Sequence, residues 1–318
     1  MARNPISFMT WNLYVGTDFT PFFTATPELI PQSVTEVFRQ FLATDFPLRA
    51  GTIARLIASK KPDLIGLQEA DRVQLSVPGL PVVTYDFVRL LLSELRKRGL
   101  HYEVAAKNKN VSIRLPTSNG DAVRLLDRDV ILIRKGSGLT VLRRQEANFK
   151  SNLTVQIAGR PFKIVRGWSS IDVLAHKRMF RMINTHLDPL SPTVQVAQGN
   201  ELLKGPANTN LPLILLGDFN SNAGGKGEPT YNKFIKAGFM DVWKKAGKGR
   251  GYTCCQDSDL LNAVSTLNRR IDLILFKNGW EPVKAALTGN KQSDRTPTAL
   301  WPSDHAALSA TMSLKKNT

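Results

Sequence analysis

The sequence predicts one α/β domain in which two packed β-sheets are flanked by helices. Three observations support this fold class. Strand and helix patterns alternate near both ends of the chain, a long β-rich region separates these two rounds, and no repeat or linker divides the 318 residues. A chain of this length can bury a substantial core in a single domain. We therefore expect one domain over residues 1–318.

The first elements alternate between strand and helix. Residues 6–12 are rich in β-forming side chains and are typical of a strand, whereas residues 48–59 have the spacing of a helix. Residues 63–69 are an apolar run that ends in polar side chains, as expected for a buried strand that reaches a sheet edge. A second helix is expected over residues 84–98, with Thr84 as its N-cap.

An insertion over residues 17–47 follows the first strand. It contains a predicted short helix over residues 34–42. It also holds six phenylalanines: Phe19, Phe22, Phe23, Phe38, Phe41 and Phe46. A long, partly apolar insertion is often a functional flap, and a packing arm that covers the edge of the domain is equally consistent with it. The sequence leaves both alternatives open.

The middle of the chain, over residues 102–186, changes to a pattern of short strands and turns. A strand is predicted over residues 129–134, and residues 153–157 and 162–165 are predicted to form a hairpin. Residues 178–186 are a further predicted strand. This stretch is the β-rich region between the two rounds of alternation.

The second round of alternation begins with a predicted helix over residues 192–204 and a buried strand over residues 213–218. Two later strands are predicted over residues 270–276 and 304–312. Two packed sheets with outer helices accommodate both rounds and the region between them.

The composition is that of a globular protein with a strong positive charge. Hydrophobic residues make up 42% and charged residues 22%, which argues against disorder. The net charge is +17, and residues 89–181 alone hold 20 basic against 7 acidic residues. Such a region suits a polyanionic partner, either nucleic acid or an anionic membrane, and a solvated basic surface is the alternative.

Two further features bear on the cellular compartment. No transmembrane segment and no signal peptide are expected, so the protein is intracellular as written, or exported if a signal was removed. Cys254 and Cys255 are adjacent, which fits neither a disulfide framework nor a zinc site. Reduced cysteines are the favoured interpretation, and a strained bond between the two would indicate export instead.

Polar side chains end several of the predicted strands, and they lie far apart in the sequence. Buried strands that end in polar groups commonly direct chemistry to a sheet edge. A single histidine or glutamate of this kind is usually structural, but six such sites in one chain are hard to ascribe to chance. The sites are Trp11-Asn12, Gln68-Glu69, Thr185-His186, Gly217-Asp218-Phe219-Asn220, Arg270-Ile271-Asp272 and Ser303-Asp304-His305.

These residues resemble the endonuclease/exonuclease/phosphatase superfamily, the deoxyribonuclease-I-like enzymes, over nearly the whole chain. The combination of Gly217-Asp218-Phe219-Asn220 with Ser303-Asp304-His305 is its most specific part. The resemblance implies a four-layer α/β/β/α sandwich with two mixed β-sheets and a site where the sheets meet. It also implies dependence on Mg²⁺ or Mn²⁺.

The resemblance further implies a metal site. Glu69 would be the principal ligand, Asp304 would complete the site directly or through water, and Asn12 would lie between the metal and a phosphate oxygen. Mg²⁺ prefers a few carboxylates and retains several waters, so this set is chemically reasonable.

Five further residues would act on the phosphate and the attacking water. Asp218 would orient and deprotonate the water, with Asn220 beside it on an extended chain. His305 would donate to a non-bridging oxygen while Asp272 holds its tautomer, and His186 would be a second donor. The choice of Asp218 or His305 as the base stays open at this point.

One departure from the family pattern is the sequence Asp127-Arg128-Asp129, where relatives often have small residues. Arg128 is a candidate phosphate contact. The alternative, which we favour, is that the three residues form a surface patch of ion pairs.

The predicted function is hydrolysis of a phosphodiester by a metal-dependent enzyme, most plausibly a nuclease acting on DNA or RNA. The basic middle region supports a nucleic-acid partner. The alternative is a phosphoesterase that acts on a phospholipid or an inositol phosphate, in which the phenylalanine-rich insertion would touch a membrane. A non-catalytic protein would have lost Glu69, Asp218 or His305, and all three are present. A monomer is expected.

Overall fold

The computed structural model describes residues 5–315. The strands are β1 (Ile6–Asn12), β2 (Leu64–Gln68), β3 (Arg72–Ser76), β4 (Val83–Asp86), β5 (Tyr102–Pro116), β6 (Ala122–Arg134), β7 (Leu139–Asn148), β8 (Leu153–Ile157), β9 (Arg160–Ile164), β10 (Gly167–Ala175), β11 (Arg178–His186), β12 (Leu213–Asp218), β13 (Met240–Asp241), β14 (Asp272–Lys277), β15 (Trp280–Thr288) and β16 (Ala307–Leu314). The helices are α1 (Thr20–Thr24), α2 (Ile30–Ala43), α3 (Phe46–Lys60), α4 (Phe87–Lys97), α5 (Pro192–Lys204), α6 (Pro229–Lys236) and α7 (Val242–Ala246).

The strands form two mixed sheets and a separate hairpin. The first sheet has the order β15-β16-β1-β2-β6-β3-β4, with β5 paired to β6, and the second has the order β13-β14-β12-β11-β10-β7. Each sheet contains one parallel pair, β1 with β2 and β11 with β12, among antiparallel pairs. Strands β8 and β9 form the predicted hairpin. Two mixed sheets are what the sequence predicted.

Three apolar clusters divide the molecule into four layers. The inner faces of the two sheets meet in a core that includes Phe8, Phe180 and Phe276. Helices α3 and α4 cover the outer face of the first sheet, and α5 and α6 cover the outer face of the second. Successive side chains of each strand point to opposite faces of its sheet, so each sheet can pack an apolar face on both sides. The α/β/β/α sandwich is therefore confirmed.

Two local predictions were wrong. Residues 83–86 form strand β4, so the helix α4 begins only at Phe87 and its N-cap is Asp86, whose side chain accepts from the backbone N–H of Arg89. Thr84 instead pairs with Gln74 of β3, because the β-forming residues around it complete a strand pair. The middle region also contains long strands, since β5, β6 and β7 have 15, 13 and 10 residues.

The insertion over residues 17–47 is mostly helical, and most of its phenylalanines are packed inward. Phe22, Phe38, Phe41 and Phe46 are buried, whereas the side chain of Phe23 is 45% exposed. Helix α2 packs against β5 and presents Val34 and Val37 to a small apolar cluster. The described part of the insertion therefore has the contacts of a packing arm.

A close contact between the sheets lies beneath their shared edge. Gln68 Nε2 donates to Asn184 Oδ1 at 2.6 Å, and Asn184 Nδ2 donates to the backbone carbonyl of Leu67 at 3.1 Å. A Cβ atom at Gly66 would overlap the side chains of Leu216 and Asn184. Glycine at this position is what allows the sheets to approach so closely.

Between residues 5 and 315, none of the helices combines the length and hydrophobicity required to traverse a lipid bilayer.

The substitution Gly66→Ala should lower the free energy of unfolding by about 1–3 kcal/mol, because the added methyl group has no space between the sheets. Gly51→Ala is the matched control. Gly51 lies inside helix α3, and its Cβ would meet only Glu94 Oε2 at 3.6 Å, so this change should stabilise the protein by about 0.5–1 kcal/mol. Urea denaturation measures both, and equal effects at the two sites would contradict the packing argument.

Candidate active site

Strand pairing brings three of the predicted catalytic residues into one row. His186 at the end of β11 is the direct partner of Asp218 at the end of β12, and Asp218 is the direct partner of Asp272 at the start of β14. Directly paired residues present their side chains to the same face of a sheet. The row therefore faces the first sheet at the edge where the two sheets meet.

The first sheet contributes Asn12 and Glu69 to the same place. Asn12 Nδ2 donates to Glu69 Oε1 at 3.0 Å and to Asp218 Oδ2 at 3.1 Å, so one amide contacts both sheets. Trp11 Nε1 donates to the backbone carbonyl of His305 at 3.0 Å, which ties the segment before β16 to the end of β1.

Asp218 is the centre of this arrangement. Its Oδ2 atom lies 3.6 Å from His186 Nε2 and 3.8 Å from His305 Nε2. Its other oxygen accepts the backbone N–H of Asn220 at 2.8 Å. Burial raises the pKa of Asp218 to about 6, and the charge of Asp272 acts in the same direction. A buried carboxylate with a raised pKa is suited to accept a proton.

His305 and Asp272 form a buried pair. His305 Nδ1 lies 2.8 Å from Asp272 Oδ2, and Asp272 is fully buried. Burial alone would lower the pKa of His305, but the charges of Asp272 and Asp304 outweigh it and raise this pKa well above its usual value. Both charges therefore favour the protonated imidazole.

Asn220 lies at the site in a conformation that the sequence did not predict. Its φ is +48°, so the chain turns here and does not continue as a strand beyond Asp218. The side-chain Nδ2 of Asn220 donates to the backbone carbonyl of Leu187 at 3.0 Å. Asparagine tolerates this left-handed conformation better than most residues, and the bond from its backbone to Asp218 closes a local turn.

The carboxylates of Glu69 and Asp304 have the donor chemistry that suits a divalent cation. Glu69 Oε2 accepts the backbone N–H of Val15 at 2.7 Å, which orients the carboxylate. Burial raises the pKa of Asp304 to about 7, and the neighbouring charge of Glu69 contributes to the increase. A cation between the two would relieve this repulsion, and carboxylate and amide oxygens are the ligands that Mg²⁺ prefers.

Two groups of side chains have spacings that a metal ion could use, and neither contains Glu69 or Asp304. Asp218, Asp272 and His305 have ligand atoms within 4.8 Å of one another, as do Cys254, Cys255 and His305. In the first group the hydrogen bond between Asp272 and His305 already occupies one nitrogen. In the second, the structure joins the two cysteines by a disulfide, whereas the sequence favoured reduced cysteines.

Arg128 is directed at protein groups. It forms an ion pair with Asp86 at 3.0 Å, and its guanidinium also donates to the backbone carbonyls of Ala70 and Asp71. Asp127 and Asp129 are buried, with exposures of 7% and 0%. The three residues are therefore not a surface patch, and the prediction of one was wrong because β6 directs both aspartates inward.

Arg166 is the main residue of the site that the sequence did not reveal. It follows β9, and its Nη1 atom lies 2.8 Å from Asp127 Oδ2 and 3.2 Å from His186 Nδ1. No motif marks an isolated arginine between two strands. The inward direction of Asp127, a buried carboxylate that requires a partner, is seen only in the structure.

A second unpredicted arginine supports the loops around Asn12 and Asp304. Arg49 is fully buried and donates to the backbone carbonyls of Leu13, Tyr14, Thr44 and Pro302. These bonds connect the end of the insertion to the segments that carry Asn12 and Asp304. The carbonyl oxygens accept hydrogen bonds from the guanidinium of Arg49, so no further carboxylate is needed beside the site.

The family model described as Endonuclease/Exonuclease/phosphatase family matches residues 9–305. No curated protein sequence matches the chain.

Solved structures share the fold at low identity. An endonuclease/exonuclease/phosphatase family protein from Bacteroides thetaiotaomicron has 15% identity and a TM-score of 0.61, covering 99% of this chain and 100% of that one. TDP2 from D. rerio, complexed with a single-strand DNA product, has 17% identity and a TM-score of 0.59, with coverage of 99% and 100%. A mannosyl-6-phosphatase from B. thetaiotaomicron has 15% identity and a TM-score of 0.56, with coverage of 96% and 99%.

The family model spans nearly the whole sequence, and the sandwich and the converging acids and imidazoles agree with it. The chain therefore belongs to the endonuclease/exonuclease/phosphatase family of phosphoesterases.

Proposed function

We propose that this phosphoesterase is a Mg²⁺-dependent nuclease that hydrolyses phosphodiester bonds in DNA or RNA. The observation that carries the proposal is the convergence on Asp218 Oδ2, which lies near Asn12, His186 and His305 at 3.1, 3.6 and 3.8 Å. A carboxylate flanked by an amide and two imidazoles can handle both an attacking water and a phosphate.

Exposed positive charge supports nucleic acid as the substrate. The basic side chains concerned lie on strands β5 to β9 and their connections: Lys107, Lys109, Arg114, Arg124, Arg143, Arg144, Lys150, Arg160 and Lys163. Within residues 5–315 none of these nine takes part in an ion pair. Unpaired surface cations are available to phosphates, where they give salt-dependent binding. TDP2, with its single-strand DNA product, is a structural neighbour that agrees with this choice.

The phospholipid alternative has lost its main support. It depended on the phenylalanine-rich insertion as a membrane contact, and four of the six phenylalanines are buried against the domain. A sugar phosphatase is found among the structural neighbours, but nothing in this site selects a phosphomonoester. We therefore keep the phosphodiester of a nucleic acid as the proposed substrate.

The proposed reaction begins with the attacking water. Asp218 takes a proton from this water, because its raised pKa makes it a better base than an exposed aspartate. Asn220 holds the water or the phosphate beside Asp218. The water oxygen then bonds to phosphorus as the bond to the leaving oxygen breaks. The charges around His305 favour its protonated form, so we assign the role of base to Asp218.

Two sets of groups stabilise the negative charge on the phosphate, the histidines and the divalent ion. His305 donates from Nε2 to a non-bridging oxygen while Asp272 keeps its ring oriented, and His186 donates from its own Nε2. Glu69, Asp304 and Asn12 would hold the divalent ion. When bound, this ion supplies positive charge that neutralises the phosphate and stabilises the leaving oxygen.

Asp218→Ala and His305→Ala should each reduce turnover by about 10²- to 10⁴-fold with the fold preserved, because each removes a proton-transfer group. The control His101→Ala changes an exposed histidine outside the site and should leave the rate unchanged. Rates are measured on plasmid DNA, single-stranded DNA and RNA, inositol phosphates and phospholipid vesicles, with Mg²⁺ and with a chelator. Near-normal rates in both site variants would refute the assignment, and hydrolysis of vesicles alone would replace nucleic acid with lipid.

Mg²⁺ should stabilise the folded protein, and Glu69→Gln should remove most of this effect by weakening the principal ligand. Saturation at 100 times the dissociation constant would add about 2.7 kcal/mol to the free energy of unfolding. Thermal denaturation over a Mg²⁺ titration provides the measurement without any substrate. Glu103→Gln, at an exposed acid that pairs with Lys135, is the control and should respond like the wild type. Equal stabilisation of all three proteins would contradict the metal site.

Arg128→Met should act on stability more than on catalysis. The change removes the ion pair with Asp86 and the bonds to two carbonyls, at a cost of about 1–3 kcal/mol. Arg39→Met, at an exposed arginine of helix α2 outside the proposed nucleic-acid surface, should change stability by no more than about 0.5 kcal/mol. Denaturation and KM are compared for the two. A higher KM in Arg128→Met with unchanged stability would instead identify Arg128 as a phosphate contact.

A further inference from the structure

The two histidines at Asp218 have partners of opposite charge behind them. His186 Nδ1 lies 3.2 Å from Arg166 Nη1, whereas His305 Nδ1 lies 2.8 Å from Asp272 Oδ2. In both cases Nε2 is the nitrogen that faces Asp218. The partner of Nδ1 therefore determines whether Nε2 of the same ring carries a hydrogen.

The chemistry of arginine decides the protonation of His186. A guanidinium has only N–H donors and no acceptor, so the nitrogen that it contacts must offer a lone pair. His186 Nδ1 is then unprotonated, and the neutral ring carries its hydrogen on Nε2. Asp272, as a carboxylate, accepts a hydrogen from His305 Nδ1, which is the opposite polarity.

The surroundings of Arg166 hold it in this position. Its side chain is 12% exposed, and Nη1 also donates to Asp127 Oδ2 at 2.8 Å. The competing partner for His186 is Asp129, whose Oδ1 lies 3.9 Å from Nδ1, beyond hydrogen-bond range. The other oxygen of Asp129 accepts from Asn110 Nδ2 at 2.9 Å.

We propose that Arg166 is a positioning residue that fixes His186 as the neutral tautomer with its hydrogen on Nε2. His186 is then a permanent hydrogen-bond donor toward the substrate. The directions of the pKa shifts agree, since burial and the charge of Arg166 lower the pKa of His186. The protonation state stands on geometry alone, and only its effect on turnover rests on the proposed function.

The tautomer can be read directly by NMR. The chain has four histidines, so a long-range ¹H–¹⁵N correlation spectrum of protein labelled in histidine resolves each ring, and His186→Asn assigns the signal. At neutral pH, with Mg²⁺ and with a chelator, His186 should show hydrogen on Nε2 and a bare Nδ1. A wild-type spectrum with hydrogen on Nδ1, or on both nitrogens, overturns the proposal. This measurement needs no substrate, so it stands even if no nuclease activity is found.

Three variants separate Arg166 from its neighbours. Arg166→Met should release the tautomer of His186 and lower kcat by about 10- to 100-fold with little change in KM. Arg166→Lys retains a donor and should keep both the Nε2–H signal and most of the activity. Asp129→Asn should leave the tautomer unchanged, whereas it would alter the tautomer if Asp129 were the true partner of Nδ1.

Arg181→Met is the matched control, because Arg181 is similarly buried in an ion pair with Asp172 but lies outside the site. It should lower stability without changing kcat or the spectrum of His186. An Arg166→Met protein that loses activity but keeps the Nε2–H tautomer would overturn the proposal in favour of a packing role. If Arg166→Met does not fold, Arg166→Lys and the wild-type spectrum still decide the matter.

Discussion

A buried amide, Asn184, sets the position of one sheet against the other. It accepts from Gln68 and donates to the backbone carbonyls of Leu67 and Val130, so it contacts two strands of the opposite sheet. Glu69 is the next residue after Gln68, and His186 lies two residues after Asn184. A polar contact in an apolar interface tolerates little displacement, since sliding would leave buried donors and acceptors unpaired. The distances around Asp218 depend on this restraint.

Burial of charge is the second constraint on the site. Asp127, Asp129, Asp218 and Asp272 are all buried near the shared edge of the sheets, and such groups are costly unless they are paired. Arg166 forms an ion pair with Asp127 on one side of the site, and His305 pairs with Asp272 on the other. A divalent ion bound by Glu69 and Asp304 would neutralise more of the negative charge. The same excess of carboxylates thus favours both a protonated His305 and a bound cation.

The sequence was informative where chemistry and pattern coincide. Asp218 ends β12 and His305 lies two residues before β16, each within a specific motif, so their convergence could be predicted before any coordinates. The start of α4 could not be predicted from the sequence, because Thr84 and Asp86 are both good N-caps. Only the pairing with β3 distinguishes them. Arg166 was invisible for a different reason. Its role depends on a contact across the sheet sandwich, and a single arginine in a basic region has no distinguishing local pattern.

The arrangement of the first sheet affects the order in which the molecule assembles. Strand β1 is internal only because β16 inserts beside it, and the bond from Trp11 to the carbonyl of His305 spans 294 residues of chain. Closing so large a loop costs conformational entropy, and topologies dominated by such long-range contacts fold slowly. A chain with only its N-terminal layer in place has Asn12 beside Glu69 but lacks His305. The complete set of site residues is therefore assembled only when β16 pairs with β1.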